Sequence, residues 1–364
     1  MMKYLAQRMN LGIDHLTALV VDDLPGDIDV IIGKHHQRLL GLVHSDHMNN
    51  RYHLKNQHHD VTIQAEPSEV LTARMKRAPL KILTTCAGGN FFYETLINQG
   101  YRVSELHSVE KDPECRRTAD SFIPKSVLKH IAPHDVNKLP DWVAKTHYDL
   151  HINTSNCQPF SRLQDEPLGF KDSRANAMVN AAALHRKLKK VNPNILLFVE
   201  NVIPHRKLVD VDREWEKMWE VPFFPIDAKD MGSPCARPRM IGTNFAGPEN
   251  LRYITPAPQW WMIDDDAIPT KTICPCVVAS EKTKNPPTLM TSKGTTRRLT
   301  SNENDKFMGY AAGISKGKSN SDERRRQMMG NALNAYMTAE FFAHIPSDPS
   351  KRPAIVWSAS ARKI

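Results

Sequence analysis

Leu80–Gly100, LKILTTCAGGNFFYETLINQG, passes from apolar and β-branched residues through a glycine pair into residues with helical spacing. LKILTT predicts a buried strand, CAGGN a tight turn and FFYETLINQG a helix ended by Gly100, together the opening of a parallel α/β unit. The alternation continues downstream. VSELHSVE predicts a second strand with Glu110 at its carboxyl end, DPECRRTADSF a helix, APHDVNKLP a turn-rich connection and YDLHIN a third strand. RANAMVNAAALHRKLKKV carries apolar residues at helical spacing, and ILLFVENV is the nearly continuous apolar strand expected where both faces of a parallel sheet are covered. The pattern predicts a doubly wound, Rossmann-like α/β fold.

On either side of this unit the composition changes. Half of the 16 histidines lie at or before His59, and the amino-terminal segment ends in the basic run ARMKRAP, so a boundary is expected near residue 77. From Ala246 to about Thr296 prolines interrupt the alternation and the pair Trp260 and Trp261 occurs, which predicts a small irregular lobe whose tryptophans pack it. SDERRRQMMGNALNAYMTAEFFAHI reads as helix returning to the sheet, and a basic tail follows Pro346. The expected division is 1–77 accessory segment, 78–245 core, 246–296 small lobe, 297–345 return to the core and 346–364 tail.

A chain of 364 residues can bury a sizeable core, and its net charge of +9 favours a polyanionic partner. No apolar run is long enough for a spanning helix, since LTALVV is stopped by Asp22 and Asp23, so no membrane is expected. The six cysteines lack a disulfide framework, which predicts a reduced intracellular protein. CPC at Cys274 and Cys276 is too closely spaced for a zinc site, and the pairs His35/His36 and His58/His59 lack ligand spacing; no metal is expected.

Three stretches carry chemistry. CAGGN, between strand and helix, suits a ligand with an anionic end, and Glu110 at the next strand end suits the two hydroxyls of a ribose, with Asp135 beyond it; a plain tight turn and a solvated carboxylate are the other reading. In HINTSNCQPFSRLQ, Cys157 sits in a polar loop stiffened by Pro159 and is a candidate nucleophile, with Arg162, Arg237 and Arg239 as candidates to lower its pKa. Glu200 in FVENV is a candidate acid beside Asn201, and Arg237 and Arg239 in CARPRMIGTNF form one pair for an anionic group.

Taken in order, these stretches resemble the DNA cytosine-5 methyltransferases from about Lys81 to Ile345. LTTCAGGNF resembles the family's opening cofactor loop, SNCQPFS its proline-cysteine motif and Glu200-Asn201-Val202 its ENV motif. Arg237 and Arg239 resemble its arginine pair, RRLTSNENDKFMGY the motif that scaffolds its recognition lobe, and GNALNAY its closing cofactor motif. VPFFPIDAKDMGSPCARPRMIGTNFAG and the short lobe look most like the de novo-type enzymes. The resemblance implies an S-adenosylmethionine-dependent methyltransferase fold with residues 246–296 as a target-recognition lobe. It further implies catalysis by Cys157, Glu200, Arg237 and Arg239. S-adenosylmethionine would be held by Cys86, Ala87, Gly88, Gly89, Phe91, Glu110, Lys111, Asp135, Val136, Gln158, Asn331 and Ala332. The implied partner is duplex DNA and the implied location the nucleus, or the cytoplasm in a prokaryotic or viral setting. Ala87 and Asn90 stand where family glycines are usual, Thr85 where an aromatic is, and Asn156 where proline precedes the cysteine.

Two rivals remain at this stage. Transfer-RNA cytosine-5 methyltransferases share these motifs but usually carry a Cys-Phe-Thr triplet, which this chain lacks; a catalytically silent DNA-binding relative would not need Cys157, Glu200 and Arg239. Lys282, Lys284, Lys293, Arg297 and Arg298 are expected to meet phosphates, while Arg324, Arg325 and Arg326 are assigned no role. LTALVVDDLPGDIDVIIGKHHQRLLGLVHSD resembles part of a retroelement aspartic protease without its catalytic triplet, which implies a piece of a longer polyprotein; an accessory lobe is the alternative. Homo- and hetero-oligomers are both open.

Overall fold

The computed structural model describes residues 78–254, 267–271, 273–279, 286–291 and 293–346, together with the backbone of five short strands before residue 78. Trp260, Trp261, Lys282, Lys284, the histidine pairs and the tail after residue 346 lie outside the described residues. The chain divides into two units: Met1–Arg77 with Asn98–Tyr101, and Ala78–Ile97 with Arg102–Ile364. In the first, β1 (Leu19–Val20) pairs antiparallel with β2 (Val30–Ile31), and β3 (Leu42–Asp46), β4 (Arg51–Lys55) and β5 (Asp60–Gln64) form an antiparallel sheet with β4 in the centre.

The second unit opens on β6 (Leu80–Thr85) and α1 (Phe92–Asn98), followed by β7 (Val103–Val109), α2 (Pro113–Ala119), β8 (Leu128–His130) and α3 (Asp141–Lys145). Then come β9 (Leu150–Asn153), α4 (Asn176–Val191), β10 (Leu196–Val202), α5 (Val211–Trp219), β11 (Phe223–Asp227) and β12 (Pro238–Thr243). The seven strands lie in the order β11-β12-β10-β9-β6-β7-β8, all parallel except β12, which runs antiparallel to both neighbours. From β6 the chain proceeds to β7 on one side and later to β9 on the other. The strand order therefore reverses between β6 and β9, and the crevice beyond their carboxyl ends is where open α/β sheets bind ligands.

Local chemistry explains the element ends. Asp112 caps α2 by accepting from Glu114 N at 2.9 Å and Cys115 N at 3.3 Å, and Pro113 takes the first helical position, where a missing N–H costs nothing. Strand β10 is covered on both faces, which is why it reads as a continuous apolar run. Leu197 and Val199 share a core with Ala181, Leu184 and Leu188 of α4 and with Trp215 and Trp219 of α5. Phe198 points the other way, with its ring centroid 5.5 Å from those of Phe341 and Phe342.

The small lobe contains more order than its prolines suggest. β13 (Ala267–Pro269), β14 (Thr288–Thr291) and β15 (Thr296–Arg298) form a three-stranded antiparallel sheet. After α6 (Ser301–Phe307), the carboxyl-terminal helical sequence is split into α7 (Asp322–Asn331) and α8 (Ala335–Phe342). The break follows from Asn334, whose side chain accepts from Met337 N and so begins a new helix. Among the described residues no helix is long and apolar enough to cross a membrane.

Candidate active site

Two loops leave the carboxyl ends of β6 and β9, and they are tied together. Thr154 N donates to Thr85 O at 3.2 Å, and Thr154 Oγ1 donates to Cys86 O at 2.6 Å. In the first loop Cys86, Gly88 and Asn90 all have positive φ, at 57°, 54° and 54°. Asn90, standing where family glycines are usual, tolerates this conformation and is bonded at both ends of its amide. Its Nδ2 donates to Ser108 Oγ at 3.0 Å, and its Oδ1 accepts from Thr84 Oγ1 at 3.0 Å. Gly89 is required for packing, because a Cβ there would come within 2.4 Å of the Phe91 ring.

Glu110 braces this loop from the next strand. Its carboxylate accepts from Gly88 N at 2.7 Å and from Asp112 N at 2.8 Å, yet burial outweighs both bonds and raises its pKa. Two of the roughly four lone-pair positions of a carboxylate stay open for a ligand. An open cleft beside it is lined by Lys111, Asp112, Pro113, Glu114, Arg117 and Arg324 as well as Glu110. Asp135 caps the turn Val136–Lys138 and pairs with Lys111 Nζ at 3.2 Å. Phe91, by contrast, is 3% exposed and stacks on Phe122, with centroids 5.9 Å apart.

Cys157 follows β9 and is half-buried, with φ −84° and ψ −14° at the start of the 3₁₀ turn Gln158–Phe160. The loop is fastened to β10 by Asn201, whose Nδ2 donates to Ser155 O at 3.2 Å. Beside Asn201, Glu200 is buried and ion-paired to Arg239 Nε at 2.7 Å, Arg239 arriving on the antiparallel neighbour β12. Burial is the largest cause raising the Cys157 pKa, and the Glu200 charge adds to it; Arg239 and Arg237 oppose both without prevailing. Arg239 and Arg237 thus act in the expected direction, but burial and the Glu200 charge outweigh them. Arg162 is engaged elsewhere, its Nε donating to Pro204 O at 3.1 Å.

Arg237 has a different task from Arg239. Its fully buried guanidinium donates to the carbonyls of Val277 at 2.9 Å, Gly330 at 3.0 Å and Ala332 at 2.5 Å, so it joins β12 to the small lobe and to the end of α7. Gly330 is equally constrained, since a Cβ there would lie 2.0 Å from Ala279 N. The two arginines thus do not form one anion clamp. Asn331 is exposed at the end of α7, beside Ala332.

Arg174 is a contributor that the sequence reading missed. Its Nε contacts both Asp172 carboxylate oxygens, at 2.9 and 3.0 Å, and its Nη1 donates to Gln158 Oε1. Gln158 is consequently held within the cysteine loop. The Asp-Ser-Arg spacing was the only available signal, and it identifies no partner 16 residues away. Members of both basic clusters are engaged internally. Arg297 pairs with Glu303 at 2.7 Å, Arg325 with Asp305 at 2.8 Å, and Arg324 with Asp112 and Glu114. Among the described residues, no group of three or more His, Cys, Asp or Glu side chains is arranged to hold a metal ion.

No protein-family model and no curated protein matches the chain. Solved structures do. The Entamoeba histolytica methyltransferase EhMeth is similar with a TM-score of 0.56 at 12% identity, covering 74% of this chain and 98% of its own. A DNMT2 variant from Spodoptera frugiperda gives 0.56 at 14% identity, covering 73% and 99%. A putative DNA modification methyltransferase encoded within an Escherichia coli prophage gives 0.51 at 12%, covering 73% and 99%. The seven-stranded unit therefore has the Rossmann-like methyltransferase fold of these proteins.

Proposed function

We infer that the chain transfers a methyl group from S-adenosylmethionine to carbon 5 of a cytosine flipped out of duplex DNA, through a covalent adduct with Cys157. The observation that carries this reading is the junction of two loops. Asn201 holds the cysteine loop by the Ser155 carbonyl, and the adjacent Glu200 is oriented by Arg239. The neighbouring strands β9 and β10 thereby bring a nucleophile and an acid to the same end of the sheet. The opening loop and Glu110 fit the cofactor, with glycine at Gly88 and Gly89, open carboxylate lone pairs and Asp135 beyond. S-adenosylmethionine, when bound, supplies an electrophilic methyl group.

The remaining chemistry falls to the chain. Cys157 Sγ adds as thiolate to carbon 6, its proton passing to the Glu200 carboxylate and on to ring nitrogen 3, and the electron pair gained by the ring makes carbon 5 nucleophilic. Once carbon 5 is methylated, its proton passes to solvent water, nitrogen 3 returns its proton to Glu200, and expulsion of Cys157 Sγ restores the aromatic ring. A resting thiol suits this order: the Glu200 charge that raises the Cys157 pKa is relieved when the carboxylate and ring nitrogen share a proton. Duplex DNA is favoured over transfer RNA by the absence of the Cys-Phe-Thr triplet.

Tritiated-methyl transfer to duplex DNA and to transfer RNA, measured side by side, tests the reading. We expect label in DNA, none with Cys157→Ser, and a denaturant-stable complex with a 5-fluorocytosine duplex, because fluorine does not leave as a proton does. Turnover by Cys157→Ser would end the covalent mechanism, and label confined to transfer RNA would overturn the substrate.

A further inference from the structure

Cys157 is restrained from both sides by different devices. Downstream, Phe160 N donates to the Cys157 carbonyl at 3.0 Å and closes the 3₁₀ turn. Upstream, the Asn156 side chain reaches over the cysteine, and its Oδ1 accepts from Gln158 N at 3.0 Å. This is an Asx turn, in which a side-chain carbonyl replaces a backbone one and restricts the dihedrals of the residue it spans. The spanned residue is the proposed nucleophile. Both ends of the span are themselves fastened, Ser155 by Asn201 and Gln158 by Arg174, which is gripped in turn by Asp172. Without the Asn156 bond, Cys157 would keep the Phe160 contact to its carbonyl but lose its upstream restraint.

Position 156 is where the resemblance places proline, whose ring stiffens the same spot by fixing φ. No described residue accepts a hydrogen bond from the Asn156 N–H, so a ring at this position would break no backbone bond. Asn156 is also exposed, and trimming its side chain leaves no cavity. The geometry points to Asn156 as a positioning residue: its Asx turn takes the place of the proline ring and holds Cys157 in the conformation from which it attacks. The inference rests on the proposed methyl transfer, and its test includes a readout that does not depend on that reaction.

The full chain is compared with Asn156→Ala, Asn156→Ser and Asn156→Pro. Losing one hydrogen bond that orders the attacking group is expected to lower kcat about tenfold in Asn156→Ala, with the KM for S-adenosylmethionine unchanged. Asn156→Pro restores the rate, and Asn156→Ser, whose shorter hydroxyl makes a weaker turn of the same kind, restores part of it. The second readout is alkylation of Cys157 by iodoacetamide, followed peptide by peptide in a mass spectrometer. Its rate rises at least threefold in Asn156→Ala and returns in Asn156→Pro. A wild-type alkylation rate in Asn156→Ala, or an Asn156→Pro rate equal to that of Asn156→Ala, would overturn the assignment. Absence of methyl transfer by the unaltered chain would instead count against the functional reading, with alkylation still deciding the role of Asn156.

Discussion

Glu200 carries its charge beside a thiol that has to lose a proton, so the two groups needed for the proposed reaction oppose each other at rest. Burial and the Glu200 carboxylate raise the Cys157 pKa, while Arg239, bound to that carboxylate at 2.7 Å, lowers it. Glu200→Gln removes the opposing charge and leaves the cation. Its expected effects on the two chemistries are opposite: alkylation of Cys157 at neutral pH becomes roughly three to ten times faster, whereas methyl transfer falls about a hundredfold. Slower alkylation in Glu200→Gln would show that the two groups are not electrostatically coupled as described. This residue pair is legible in the sequence because each member ends a recognisable strand or loop. The bonds that orient it are not: Asn201 to Ser155 and Arg174 to Gln158 join residues whose proximity depends on the finished sheet.

At the level of elements, Arg237 and Gly330 hold β12, the small lobe and α7 at one point. Arg237→Met keeps most of the volume but leaves three carbonyls without their donor, and should cost on the order of 3 kcal/mol. Gly330→Ala forces a methyl group against backbone and is expected to cost at least as much. Urea midpoints of the two variants, with unchanged slopes, would measure this; midpoints equal to wild type would mean that the three-way junction adds nothing. The parallel strands are readable from sequence because both their faces are covered and their apolar runs are continuous. The break between α7 and α8 is harder to read, because Asn334 begins a helix within a stretch whose residues otherwise favour helix throughout. The lobe strands escape detection for another reason: three or four residues each are too few for alternation to register, and prolines surround them.

For the molecule as a whole, pH acts through a histidine buried beneath the cofactor and cysteine loops. His151 on β9 is fully buried, bonded through Nε2 to Thr85 Oγ1 at 3.0 Å and stacked on His185, and burial lowers its pKa from 6.5 to about 3. The folded state thus resists a proton that the unfolded chain accepts. Its contribution to stability is whole above pH 6.5 and is lost as pH falls from there towards 3, at about 1.4 kcal/mol per pH unit. His151→Gln should flatten this part of the profile, measured as urea midpoints from pH 7.5 to 4.5; parallel profiles would remove His151 as the cause. The Arg237 junction has a consequence for biosynthesis. Two of the carbonyls it requires lie 93 and 95 residues further along the chain. The ribosome therefore releases Cys157 and Glu200 long before this clamp can close, and a chain interrupted before Gly330 would carry the reactive groups without the junction that secures β12, the neighbour of the Glu200 strand.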